Sequence, residues 1–194
     1  MDPNVKNIAD RLKKRFIFLS GFMGTGKSAA GSKLAKRLKI PFYDVDENII
    51  EMRKVSIAEI FTFEGEESFR DYESEALEEI IQKGGPAVVS LGGGALLRKK
   101  NNELVQASGI VISLKADPDS ILERLGESQI ISLFIMCGKS PVEMDSREKV
   151  LEAIIKLNER RKTVYDNADF SVFSGGKTTD EVIDEILRKI GRFK

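Results

Sequence analysis

The sequence predicts a three-layer α/β protein, a doubly wound parallel sheet of five strands with helices on both faces. Three observations predict it. Short runs rich in Val, Ile, Leu and Phe recur along the 194 residues. Longer segments of helical periodicity lie between them, and strand–helix alternation of this kind folds as right-handed crossovers on one sheet. A glycine-rich stretch, "GFMGTGKS", joins the first apolar run directly to the first helical segment.

The runs at Phe16–Ser20, Phe42–Asp44, 87–91, 109–114 and Phe170–Phe173 read as buried strands, being short, continuous and apolar. Lys27–Leu38 reads as the first helix, with Leu34, Ala35 and Leu38 on one face. "SIAE" at 56–59 is a capping box that opens a helix through Ile60 and Phe61. Residues 64–82 form a long acidic helix. Asp117 followed by Pro118 is an N-cap and first-turn pair. "DSRE" opens a helix over 146–165, and "TTDEVIDEILRKI" closes the chain. Two stretches exceed a minimal crossover. Residues 46–82 hold several helices and are expected to form a substrate-binding excursion. Residues 126–145 show no clear helix and are expected to form a lid. No repeat or linker divides the chain, so one domain over 1–194 is expected.

Composition narrows the chemistry. Lys and Arg number 31, as do Asp and Glu, so no net field favours nucleic acid or an anionic membrane. The basic cluster Arg11, Lys13, Lys14 and Arg15 reads as a solvated lead-in to the first strand. There is no histidine, which excludes Ser–His triads and histidine metal sites and leaves acid–base work to carboxylates, Lys, Tyr or Cys. Cys137 is the single cysteine, so no internal disulfide forms and a reducing cytoplasm is expected. No apolar run is long enough to span a bilayer, and the first 15 residues lack an apolar signal core.

Gly21-x-x-x-x-Gly26-Lys27-Ser28 fits the Walker A pattern in its strand–loop–helix context. Gly24 and Gly26 let backbone N–H groups approach phosphate oxygens, and the helix that follows offers its positive end. Gly24, Thr25, Gly26, Lys27, Ser28 and Ala29 are therefore the expected nucleotide-binding residues. Lys27 would reach the β- and γ-phosphates, and Ser28 would ligate Mg²⁺.

The acceptor must be read elsewhere. "FYDVDEN" ends the second run with Asp44 and Asp46, which alternation sends to the same side of an extended segment. One could hold Mg²⁺ through water while the other accepts or orients a hydroxyl proton; the alternative is helix capping by Asp46. Arg70 and Glu73 stand three apart, either as an exposed ion pair or as a carboxylate fork oriented by the glutamate. Gly92, Gly93 and Gly94 close the third strand at an entropic cost that a plain turn rarely carries, so a ligand can lie against bare backbone there. Ser90 could support the metal's water shell. Arg160 and Arg161 lie near a helix C-terminus, where cations are favoured in any case.

Taken together, GFMGTGKS at 21–28, D-V-D at 44–46, G-E-E-S-F-R-D-Y-E at 65–73, L-G-G-G-A at 91–95 and R-K-T-V-Y at 161–165 resemble shikimate kinase. The resemblance implies a nucleoside-monophosphate-kinase-like sheet of order 2-3-1-4-5 and transfer of the ATP γ-phosphate to the 3-hydroxyl of shikimate, on the route to chorismate. It implies Asp46 as holder of the acceptor hydroxyl and base, and Asp44 with Ser28 in the Mg²⁺ shell. Arg70 and Arg161 would fork the carboxylate, Gly92, Gly93 and Gly94 would lie along the ring, and Phe61 and Phe69 would line its apolar side. Arg124 would stack near adenine. A cytoplasmic monomer is expected, with ATP and Mg²⁺ as cofactors, shikimate as partner, and neither nucleic acid nor membrane.

The match breaks in the lid, where the family usually carries arginine in R-P-L-L. This chain reads I-S-L-F, with Ile131 at the matching position. An arginine of that kind resembles an arginine finger, so its loss predicts weaker charge stabilisation during transfer. Lys139 and Arg147 are the nearby cations, and both read as solvated. Two further readings stay open: a kinase of another small hydroxylated acid, and a nucleotide- and ligand-binding relative with weak catalysis.

Overall fold

The computed structural model describes residues 15–140 and 146–192. The basic lead-in at 11–14 and the lid residues 141–145 lie outside the described residues. Five parallel strands form one sheet in the order β2-β3-β1-β4-β5. They are β1 (Phe16–Ser20), β2 (Phe42–Asp44), β3 (Val88–Ser90), β4 (Gly109–Lys115) and β5 (Phe170–Phe173). The order is the one the resemblance implied.

Period-two alternation divides the strands between two cores. Ile17 and Leu19 of β1, with Ile110, Ile112 and Leu114 of β4, face one side. They pack on α1 (Lys27–Leu38) and on α9 (Thr179–Arg192), whose Val182, Ile183, Ile186, Leu187 and Ile190 form one stripe. Phe16, Phe18, Val89 and Val111 face the other side. There they meet α2 (Val45–Arg53), α3 (Ile57–Phe63), α4 (Gly65–Gln82) and α5 (Lys99–Ser108). Each such side chain contributes roughly 1.5–3 kcal/mol of burial. The pairs Lys33–Asp180 at 2.7 Å and Arg37–Asp184 at 2.6 Å tie α1 to α9 but are exposed and add little.

A third cluster holds α6 (Pro118–Arg124), α7 (Glu127–Met136) and α8 (Arg147–Asp166) around Phe22. Here one expectation is corrected. Residues 126–145 were expected to hold no clear helix, yet α7 is a ten-residue helix. Its Leu133 and Phe134 are buried against Phe22, Val150, Ile154 and Leu157. The run 130–136 is apolar on nearly every position, which hides helical periodicity, and a helix is the form in which such a run satisfies its own backbone while burying side chains.

A second correction concerns Asp44 and Asp46. They do not share one side of an extended segment, because α2 begins at Val45. Asp44 is the N-cap, accepting from the backbone N–H groups of Asp46 at 3.1 Å and Glu47 at 3.4 Å. Capping therefore falls to Asp44, and Asp46 sits in the first helical turn with its carboxylate released for other use. Among the described residues, no helix is long and apolar enough to cross a membrane.

Candidate active site

One cleft of about 560 Å³ opens beyond the carboxyl ends of β1, β2 and β3, at the sheet edge where open α/β folds hold ligands. The β1–α1 loop forms one wall. Gly24 and Gly26 take positive φ angles of 75° and 88°, which side-chain-bearing residues rarely adopt. Gly26 precedes α1 without a side-chain cap, and no acidic residue stands in the first turn, so the helix's positive end is left for an anion. Lys27 is buried and donates to the carbonyls of Gly21 and Phe22, each at 3.0 Å. Burial lowers its pKa, with Asp46 and Asp44 acting against that shift. Thr25 is turned inward: its hydroxyl donates to Phe22 O at 2.7 Å, its N–H approaches the same oxygen at 3.3 Å, and its carbonyl accepts from Ser174 Oγ at 2.8 Å, which fixes the shape of the loop.

Beside the loop, the Ser28 hydroxyl donates to Asp44 Oδ2 at 2.6 Å and lies 3.5 Å from Ser90 Oγ. Register explains the meeting, since Asp44 and Ser90 are paired positions on neighbouring strands. Among the described residues no three or more His, Cys, Asp or Glu gather to hold a metal by themselves. Two hydroxyls and one carboxylate are instead the hard oxygen donors that suit Mg²⁺, which keeps most of its waters and takes phosphate oxygens as partners.

The opposite wall is charged and buried. Arg70 donates through Nη1 to Glu73 Oε2 at 2.7 Å and through Nη2 to Glu66 Oε1 at 2.9 Å. Glu73 has no exposure, and burial pushes its carboxyl pKa up against the opposing pull of Arg70. The exposed-pair reading of Arg70 and Glu73 is therefore excluded. Arg161 is equally buried, whereas its neighbour Arg160 faces solvent. One turn further along α8, Tyr165 donates its hydroxyl to Gly93 O at 2.6 Å and fixes that helix against the glycine loop. Among the described residues five buried side-chain polar atoms have no hydrogen-bond partner, and three of them belong to this site: Asp46 Oδ1, Glu73 Oε1 and Arg161 Nε. Such atoms are costly unless something else pairs with them.

The three glycines make room for these groups. A Cβ on Gly92 would stand 2.1 Å from Glu73 Oε1 and 3.0 Å from Asp46 Oδ1. One on Gly94 would stand 2.5 Å from Arg70 Nη2, and one on Gly93 would be 3.4 Å from Arg161 Nη1. Asp46, Glu73, Arg70 and Arg161 thus converge on one strip of bare backbone. Asp46 is only partly covered, and its carboxyl pKa rises to about 7, through burial first and then through the neighbouring charges of Asp44 and Glu73. Phe61 and Phe69, their ring centres 4.7 Å apart, form an apolar side to the cleft with Ile57.

Several participants carried no clear signal in the sequence. On α7 the cleft is lined by Ser128, Gln129, Ser132 and Met136, and Ile131 is not among its lining residues. The only trace is Ser132, a hydroxyl inside the apolar run 130–136, with Ser128 one turn before it. Lys139 and Arg147 do not line the cleft either. The Lys139 ammonium lies 5.9 Å from the Phe134 ring centre, and Arg147 pairs with Asp119 at 3.0 Å. Arg124 bridges two loops, donating to Ser174 O at 3.0 Å and approaching Gly24 O at 3.5 Å. Beyond it a smaller cleft of about 270 Å³ continues along Gly26, Ala29, Ser174, Lys177 and Thr178.

Known proteins of one family are similar to this chain over most of its length. The family model described as shikimate kinase matches residues 23–191. A shikimate kinase from Thermus thermophilus is 36% identical over 181 residues, covering 91% of this chain and 90% of its own. The crystal structure of shikimate kinase from Aquifex aeolicus superposes with a TM-score of 0.71 at 32% identity, covering 90% of this chain and 95% of that one. Shikimate kinase from Acinetobacter baumannii in complex with shikimate gives 0.80 at 26% identity, covering 94% and 96%.

Proposed function

This chain belongs to the shikimate kinase family of ATP-dependent kinases, and we propose that its cleft transfers the γ-phosphoryl group of ATP to the 3-hydroxyl of shikimate, on the route to chorismate and the aromatic amino acids. The observation that carries this reading is the convergence of Asp46, Arg70 and Arg161 on the glycine strip, opposite an uncapped phosphate loop.

Each group then has one task. Backbone N–H groups of Gly24–Ala29 cradle the phosphates, and Lys27 exchanges its two carbonyl partners for β- and γ-oxygens. Ser28 and Asp44 would hold Mg²⁺, with Ser90 supporting its water shell; when bound, the ion would neutralise phosphate charge. Arg124 and the smaller cleft beside Ser174 and Lys177 take the base. Arg70 and Arg161 grip the acid's carboxylate, while Glu73 holds Arg70 in orientation. The ring lies on Gly92–Gly94 with Phe61 and Phe69 at its apolar side. Asp46 accepts the proton of the 3-hydroxyl as that oxygen bonds to the γ-phosphorus and the bond to the ADP oxygen breaks.

An ADP-release assay with shikimate, its product identified by phosphorus NMR, tests the reading beside a panel of other cyclic hydroxy acids. Shikimate 3-phosphate is the expected product. Brisk turnover of another acid with none of shikimate would reassign the acceptor. The hydroxyls and amide that α7 presents in place of a lid guanidinium favour a slow transfer step. Binding of both ligands without product would extend that to a non-catalytic relative.

Two further outcomes are expected. Because Asp46 works ionised, kcat/KM should fall below about pH 7, its acid limb tracking the raised carboxyl pKa, while the limb in kcat lies lower once Mg·ATP is bound. Gly92→Ala places a methyl 2.1 Å from Glu73 Oε1, so it should displace the Glu73–Arg70 pair and lower kcat/KM by about 10²-fold, as small misplacements in a catalytic site do.

A further inference from the structure

Met136, the last residue of α7, stands where an acid's carboxylate has to land. Its sulfur lies 3.1 Å from Arg161 Nη2 and 3.9 Å from Arg70 Nη2, so both guanidinium groups direct an N–H at it. These are the two buried cations of the acceptor wall, and Glu66 and Glu73 already hold other N–H groups of Arg70. A carboxylate bridging the two Nη2 atoms of Arg70 and Arg161 would have to take the place of the thioether. The exchange is favourable, because sulfur is a weak neutral acceptor and a carboxylate accepts charge-assisted bonds.

We propose that Met136 is a resident competitor for the acid subsite, a positioning residue that fills the space between Arg70 and Arg161 and must swing aside before the acceptor's carboxylate binds. The proposal rests on the reading of that subsite given above. The swing is confined to the side chain. Leu133 and Phe134 of the same helix are buried in the core, and the helix ends with Cys137 N–H bonded to Leu133 O at 3.1 Å, so the backbone of α7 is pinned. An unbranched methionine has the rotatable bonds for such a movement. Its sulfur gives one Nη2 N–H of each arginine a weak partner while the subsite waits.

The test is calorimetric titration of the full chain with shikimate and, separately, with benzoate as a plain carboxylate, for wild type, Met136→Ala and Met136→Leu. In Met136→Ala the dissociation constants for both acids should fall about fivefold, the equivalent of one weak bond no longer broken on binding. In turnover the KM for the acid should fall likewise, while kcat and the KM for ATP hold, a split that general loosening of the fold would not give. Should Met136→Ala melt well below wild type, Met136→Leu serves in its place, with tighter acid binding again expected. Acid affinity unchanged or weakened in a variant that melts like wild type would overturn the proposal. If wild type bound no shikimate while the variant tightened on benzoate, the identity of the acceptor would fall and the role of Met136 would stand.

Discussion

Asp46→Asn is expected to lower kcat by about 10²–10⁴-fold, the range that a positioned general base contributes. The amide keeps the size of the side chain and can still hold the acceptor's hydroxyl, so the KM for the acid should change far less than kcat. The same substitution is expected to stabilise the ligand-free protein. The carboxyl pKa is about 7 in the folded chain against an ordinary 3.8. Between those two values the unfolded chain releases a proton that the folded chain retains, so stability falls as pH rises through that window. Asparagine does not titrate. The variant should therefore unfold with a free energy about 2–4 kcal/mol higher than wild type at pH 8, with the gain vanishing near pH 4. Urea unfolding at the two pH values checks the sign. A variant that is both inactive and more stable would mark Asp46 as a residue held at a cost for its chemistry.

Arg70→Ala should do the reverse. It removes one of the two guanidinium groups of the acid subsite, and the loss of charge-assisted bonds predicts a rise in the KM for the acid of about 10²-fold. It also leaves Glu73, which has no exposure, without its 2.7 Å partner. Stranding one member of a buried pair typically costs about 3–5 kcal/mol. Glu73 can relieve part of that cost by taking a proton, so the loss should grow as pH rises. Adding Glu73→Gln removes the stranded charge. The double variant should recover stability and still bind the acid poorly, which separates the arginine's structural role from its role in recognition.

The sequence carries the sheet and the phosphate loop plainly, because each depends on local pattern. Alternation in Phe16–Ser20 sorts side chains between two cores, and the spacing of Gly21, Gly26, Lys27 and Ser28 is fixed by the ligand's own geometry. Gly92, Gly93 and Gly94 are legible as a run that needs a reason. The reason lies in residues far along the chain, Glu73, Arg70 and Arg161, whose side chains occupy the space that a Cβ would take. Two readings failed for physical causes. The alternation of Asp44 and Asp46 gave way to a helix start, because the Asp44 carboxylate captures the N–H groups of Asp46 and Glu47. The helix at Glu127–Met136 was hidden because an apolar run buried on several sides has no period to read. Met136 was hidden for the same reason, and only the fold brings its sulfur to the two arginines.

The most direct measurement is a crystal structure of the chain with shikimate, Mg²⁺ and a non-hydrolysable ATP analogue. The carboxylate is expected on Arg70 and Arg161 with Met136 swung away, the 3-hydroxyl within hydrogen-bond reach of Asp46, and the γ-phosphate analogue in line with that hydroxyl. A complex in which the acid sits elsewhere, or in which Asp46 faces no hydroxyl, would contradict the assignment.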